Sequence, residues 1–137
     1  MIEIASNIKS LKAQLPSSVK LVAVSKTRPA GDILEAYNSG HKCFGENRVQ
    51  ELLSKKDSLP ADIEWHLIGH LQSNKVKYIV PFVSMIESVD TCKLMKVINS
   101  EASKIRRVID CLLQIHIAEE EAKFGFSMQE LHEAAGS

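Results

Sequence analysis

At 137 residues the chain is long enough for one ordinary domain with its own core, and its 45% hydrophobic and 25% charged side chains are those of a globular protein. Its 17 basic and 17 acidic side chains cancel, which removes the electrostatic case for nucleic acid or an anionic membrane as partner. No apolar run approaches the length of a membrane span, and the opening "MIEIASNIKSLKAQLP" lacks a basic-then-apolar leader, so a cytoplasmic protein is expected.

In chain order, Ile4, Ile8, Leu11 and Leu15 recur at helical spacing, and Pro16 ends that helix. "KLVAVSK" (20–26) is short, β-branched and almost wholly apolar, the pattern of a buried strand. Pro29 suits the first turn of a second helix with Ile33, Leu34 and Tyr37 on its apolar side, and Gly40 is its stop. "HKCFGE" is a second strand, and a helix from about Asn47 buries Val49, Leu52 and Leu53 before Pro60.

The same alternation continues. "IEWHLIG" is a third strand, followed by a helix over 73–80 with Val76, Ile79 and Val80 inward. "VSMIES" is a fourth, and Asp90 is the expected N-cap of a long helix through Leu94, Met95, Ile98, Ala102 and Ile105. "VIDCLLQIHI" is a fifth, and "SMQE" (127–130) is a capping-box pattern opening a last helix.

One helix followed by five βα units predicts an α/β fold with a parallel sheet, as a single domain over 1–137. An open doubly wound sheet and the front part of a barrel both satisfy this order. A closed (β/α)8 barrel takes roughly 200 residues or more, so one such chain does not close it. Five strands of a barrel would leave two unpaired edges and an apolar face, which predicts self-association as a homodimer.

Cys43, Cys92 and Cys111 are odd in number, widely spaced and without a CxxC, so neither a disulfide framework nor a zinc site is expected, and they read as small buried hydrophobes in a reducing compartment. "GxGxxG", Walker A and "GxSxG" patterns are absent, and Lys104, Arg106 and Arg107 read as a solvated helix end.

Reactive groups of α/β folds gather at the carboxyl ends of the strands, and there the chain places "SKTRP", "GENRVQE", "HLIGHLQSNK", "ESVD" and "QIHIAEEEAKFG". Lys26 follows Val22 and Val24 on one face of the first strand. In that row it is expected to be partly desolvated, which raises the neutral amine fraction and suits attack on a carbonyl. The alternative is an apolar stem on the strand with the ammonium in water. Gly45 would admit a ligand to the backbone, whereas Glu46 and Asn47 serve a site or cap the next helix equally well. His66 and His70 are four apart across a strand end, poor metal geometry, and His66 reads better as a hydrogen-bonded core histidine. Gln72, Ser73 and Asn74 fit capping as readily as ligand contact.

Taken together, "AVSKTRP", "FGENRVQE", "EWHLIGHLQSNK", "SVD" and "QIHIAEEEAKFG" resemble, in order and spacing, the pyridoxal phosphate homeostasis proteins, over nearly the whole chain. The resemblance implies the N-terminal part of a TIM-type barrel like the barrel domain of alanine racemase. It also implies a pyridoxal 5′-phosphate (PLP) cofactor held as a Schiff base on Lys26. Asn47 would lie near the cofactor ring, and His66, Ser88 and Gln114 would line the site; Lys123 matches a further family lysine without a catalytic role. The family barrel continues for three more strands that carry its phosphate-binding loops and the basic partner of the pyridine nitrogen, so the chain reads as truncated.

The function implied is PLP binding and homeostasis by a non-catalytic carrier or regulator, with PLP-dependent apo-enzymes as recipients. A PLP-dependent, racemase-like enzyme is the alternative, although Tyr37 and Tyr78 fall in helical patterns away from the strand ends. A self-associating half-barrel that no longer binds PLP well is another.

Overall fold

A computed structural model describes residues 3–117 and 125–136. The elements are α1 (Ile4–Gln14), β1 (Ala23–Val24), α2 (Ala30–Asn38), β2 (Cys43–Glu46), α3 (Val49–Lys56), β3 (Glu64–Leu67), a 3₁₀ turn (Ser73–Lys75), α4 (Val76–Ile79), β4 (Met85–Val89), α5 (Cys92–Lys104), β5 (Asp110–Leu113) and α6 (Met128–Ala135). All strand pairs are parallel and the spatial order is β1-β2-β3-β4-β5. A doubly wound sheet reverses its order at a switch point; this one never does. The fold is therefore that of the front part of a barrel.

That order dictates the two faces. Right-handed crossovers in a sheet that never reverses deliver their helices to one side. On that side Phe44 and Trp65 share a register row, as do Glu46, Leu67 and Ile86. They pack with Ile33 of α2, Leu52 of α3, Ile79 of α4, and Leu94 and Ile98 of α5, all buried. The opposite face carries the row Val24, Gly45, His66, Met85 and Asp110. It is bare toward its two sides, where Val24 is 54% and Leu112 50% exposed, while Gly45 and His66 between them are buried.

Local departures from the expected pattern have identifiable causes. β1 pairs only with β2 and shrinks from the expected 20–26 to two residues, although Ser25 N–H still donates to the Gly45 carbonyl at 2.9 Å. Pro29 is the N-cap of α2 rather than its first residue. The expected helix over 73–80 splits into the 3₁₀ turn and α4, while Val76, Ile79 and Val80 are buried as read. Thr91, not Asp90, caps α5, its hydroxyl accepting from Leu94 N–H at 3.1 Å, because Asp90 is engaged by His70, 3.1 Å away. The Ser127–Glu130 capping box at α6 forms in full. Nor is the outer edge of β5 bare along its length. Phe126, fully buried, bridges to Ile115 through two backbone hydrogen bonds of 2.7 Å, Phe126 N–H to Gln114 O and His116 N–H to Phe126 O.

The loops after β2 and β3 cross in close contact. A Cβ on Gly69 would lie 2.3 Å from the Asn47 carbonyl oxygen, so any side chain there pushes backbone apart. Gly69→Ala is expected to cost about 1–3 kcal/mol. It should lower the urea midpoint with an unchanged denaturant slope; an unchanged midpoint would show that the loops separate freely.

Candidate functional site

The Ser25-Lys26-Thr27 turn leaves β1 at its carboxyl end with an unusual backbone. Thr27 has φ +63°, a left-handed conformation that a β-branched residue adopts only at a cost. Its N–H donates to the Glu51 carboxylate at 2.6 Å. The same oxygen of Glu51 accepts from Lys55 Nζ at 2.5 Å. Lys55 Nζ also donates to the Ser25 carbonyl at 2.9 Å and to Glu46 Oε2 at 3.1 Å. The Ser25 hydroxyl donates to the Glu46 carboxylate in turn. One buried ammonium thereby uses its three donors on β2, on α3 and on the lysine turn.

The local sequence explains the convergence. Glu46 stands in the row of Leu67 and Ile86, on the helix side of the sheet, and is fully buried. Lys55 follows Val49 and Leu52 on the inward stripe of α3. Glu51 and Lys55 are an i,i+4 pair, and the Lys55 hydrogen bond is the main reason the Glu51 carboxyl titrates below its ordinary range. Glu46 thus does not cap α3. That N-cap is Arg48, without a side-chain cap bond, and Gln72 likewise makes none at the 3₁₀ turn.

Lys26 itself is exposed rather than partly desolvated. The ladder of β1 stops at Val24, and the row it shares with Val24 faces the bare side, where no helix covers it. Gly45 does not open the backbone to a ligand. A Cβ there would lie 3.1 Å from Val22 Cγ1 and 3.2 Å from Ile68, whose side chains meet over it.

The other expected residues divide by depth. Asn47, half-buried, follows β2, and Gln114, half-buried, follows β5, its N–H donating to Val89 O at 2.7 Å. Both stand, with Lys26, just beyond strand carboxyl ends. Ser88 lies one residue short of the end of β4, within a bulge that sets Glu87 and Ser88 against the single Leu112. It is fully buried, and its hydroxyl has no hydrogen-bond partner among the described residues. His66 sits deeper, within β3. It is buried, with Nδ1 2.9 Å from Glu87 Oε1 and Nε2 3.4 Å from Cys43 Sγ. Burial pushes the Cys43 thiol up to about 11, so it is neutral. His66 and His70 do not converge, since His70 pairs with Asp90. Lys123 lies outside the described residues.

Glu51, Lys55 and Glu87 were missed as site residues. The signals were a charge on the apolar stripe of α3, and a glutamate two residues after Met85 in a strand of alternating faces.

Residues 2–137 match the family model of the alanine racemase N-terminal domain. The chain is 45% identical over 115 residues to the pyridoxal phosphate homeostasis protein of Aquifex aeolicus, covering 83% of this chain and 50% of that protein. It is 42% identical over 120 residues to the human protein of the same name, covering 81% of this chain and 44% of the relative. It spans about half the length of the curated relatives it matches. A structure of PipY from Synechococcus elongatus with PLP bound superposes at a TM-score of 0.90 and 39% identity, covering 98% of this chain and 63% of PipY. Alanine racemase from E. faecalis, at 15% identity and a TM-score of 0.75, shares the fold.

Lys55→Met leaves the Glu46 carboxylate buried without its cation and is expected to cost about 3–5 kcal/mol. Combining it with Glu46→Gln should recover most of that loss in chemical denaturation; additive losses would show the pair uncoupled. The depressed Glu51 carboxyl gives a pH signature as well. Its contribution is present above the ordinary carboxylate range and disappears as pH falls through the lower folded value. The stability gap between wild type and Glu51→Gln should therefore close on acidification, and a gap independent of pH would contradict the assignment.

Proposed function

Because this chain belongs to the alanine racemase N-terminal domain family, we propose that it binds pyridoxal 5′-phosphate and serves PLP homeostasis, holding the cofactor through Lys26 rather than turning over a substrate. The observation that carries the proposal is the lysine turn. A solvent-reached amine stands at the carboxyl end of β1, beside the uncovered sheet face, on a backbone locked from beneath by Glu51, Lys55 and Glu46. The homeostasis proteins at 38–45% identity and the PLP-bound PipY structure support it.

The residues fit such a group. PLP supplies an aldehyde and an electron-withdrawing ring. Lys26 would hold it there through its amine, the aldehyde oxygen being given up as water. The hydroxyl of Ser88, without a partner among the described residues, offers a buried hydrogen-bond group near the carboxyl end of β4. Asn47 and Gln114 add amide groups beyond β2 and β5. His66 is placed to support the face from below, since both its ring nitrogens already have protein partners.

Holding rather than turnover is supported by where the tyrosines lie. Tyr37 is on α2 with its hydroxyl bonded to Asp62 at 2.6 Å, and Tyr78 is on α4, so neither supplies an acid or base at the strand ends. In this reading PLP-dependent apo-enzymes are the recipients of the cofactor.

Titration of the purified chain with PLP should give a saturable visible absorbance change, abolished in Lys26→Ala. Identical, non-saturating responses from the two chains would refute the proposal. A second copy of the chain is the proposed cover for the bare face around Val24 and Leu112. Sedimentation at micromolar concentration should give a dimer, weakened by Leu112→Lys; a monomer at all concentrations would refute it.

A further inference from the structure

One cluster of ligand-type side chains shares only His66 with the cofactor reading, and there His66 supports the sheet face without touching the cofactor. Cys43 and Glu64 stand opposite each other at the amino ends of β2 and β3, and His66 follows Glu64 by two residues on the same face. One thiol sulfur, one carboxylate oxygen and one imidazole nitrogen from these residues all lie within 4.8 Å of one another. Cys43 and His66 are buried, and Glu64 is half-buried, so the cluster is closed on the sheet side and reached through Glu64.

The imidazole is already oriented as in a metal site. Glu87 Oε1 is 2.9 Å from Nδ1, and a carboxylate only accepts, so Nδ1 carries the proton. The lone pair of Nε2 is left facing Cys43 Sγ at 3.4 Å. A carboxylate behind a histidine is the usual outer support of a metal-binding imidazole. Tetrahedral zinc, with bonds of about 2.0–2.3 Å, holds its ligand atoms about 3.3–3.8 Å apart, so the sulfur and nitrogen already have the required separation.

We propose that Cys43, Glu64 and His66 form a site for a divalent cation of the zinc type, with Glu87 as the positioning residue for His66. On binding, the cation takes the place of the thiol proton, which leaves to solvent. The Glu64 carboxylate exchanges its ion pair with Lys20 for the metal. A thiolate and a carboxylate then neutralise the two positive charges, so no net charge is left in a half-buried site. Three protein ligands leave a fourth position for water on the uncovered face. The site uses the amino ends of β2 and β3, whereas Lys26, Asn47 and Gln114 stand at the carboxyl ends, so the inference does not rest on PLP binding.

The test is titration of the PLP-free chain with Co²⁺, followed by displacement with Zn²⁺. One Co²⁺ per chain should bind with tetrahedral visible bands and an intense thiolate-to-cobalt charge-transfer band. That band should be lost in Cys43→Ser and retained in Cys92→Ser and Cys111→Ser. Glu87→Gln should keep the band while weakening binding about 10–100-fold, as loss of an outer partner does. Absence of the band in the wild type, or its persistence in Cys43→Ser, would overturn the proposal. So would equal affinity of wild type and Glu87→Gln. Circular dichroism of each variant separates loss of the site from loss of the fold.

Discussion

The ammonium of Lys55 is the group on which the arrangement at the open edge depends. It lies buried between Glu46 on β2 and Glu51 on its own helix, and it also takes the backbone carbonyl of Ser25. A buried ion pair adds little net stability over an apolar pair of the same shape, but removing one partner is costly. Its effect here is geometric. It binds the first helical crossover layer to the second strand and pins the end of the first. Glu51 receives the Thr27 N–H through the same oxygen, so the left-handed residue after Lys26 is held by the network that fixes α3. Without it no other hydrogen bond among the described residues ties the turn to α3, and a β-branched residue would relax toward ordinary backbone.

The second constraint is topological. Strand order that never reverses sends the crossovers to one face, and the other face is left to the side chains of alternate strand positions. Glu46 looks into the helices and becomes part of the clamp. Gly45, Cys43 and His66 belong to the other face and are linked to the uncovered surface. Two kinds of chemistry therefore share one strand pair: a structural ion network behind the sheet and nucleophilic or ligand-type groups before it. The lysine turn lies where the two meet.

The helices and strands were legible because their apolar residues follow period 3.6 or occur as short β-branched runs bounded by Gly and Pro. Single residues at their ends were not. Asp90 and Thr91 are both good caps, and the choice between them depends on His70, twenty residues away in sequence. Lys26 was read as desolvated because period-two alternation identifies a face but not what covers it. The Glu51–Lys55 pair has the spacing of an ordinary surface pair, and only the placement of α3 against β2 makes it buried. Likewise the Glu87–His66 contact depends on the register of β3 against β4, and the bulge at Ser88 on that of β4 against β5. Neither register is written in local sequence. The similarity of motifs singled out Lys26 as a candidate, and the structure shows the hydrogen bonds that hold its turn.

The most direct measurement is the location of bound cofactor under competition. PLP at less than one equivalent, followed by borohydride reduction and peptide mass mapping, asks which of the chain's lysines captures it. The account predicts an adduct concentrated on Lys26, because its turn is clamped at the strand edge. An adduct spread over the exposed lysines in proportion to their accessibility would contradict it, and would mean that the clamp shapes the fold without creating a cofactor site.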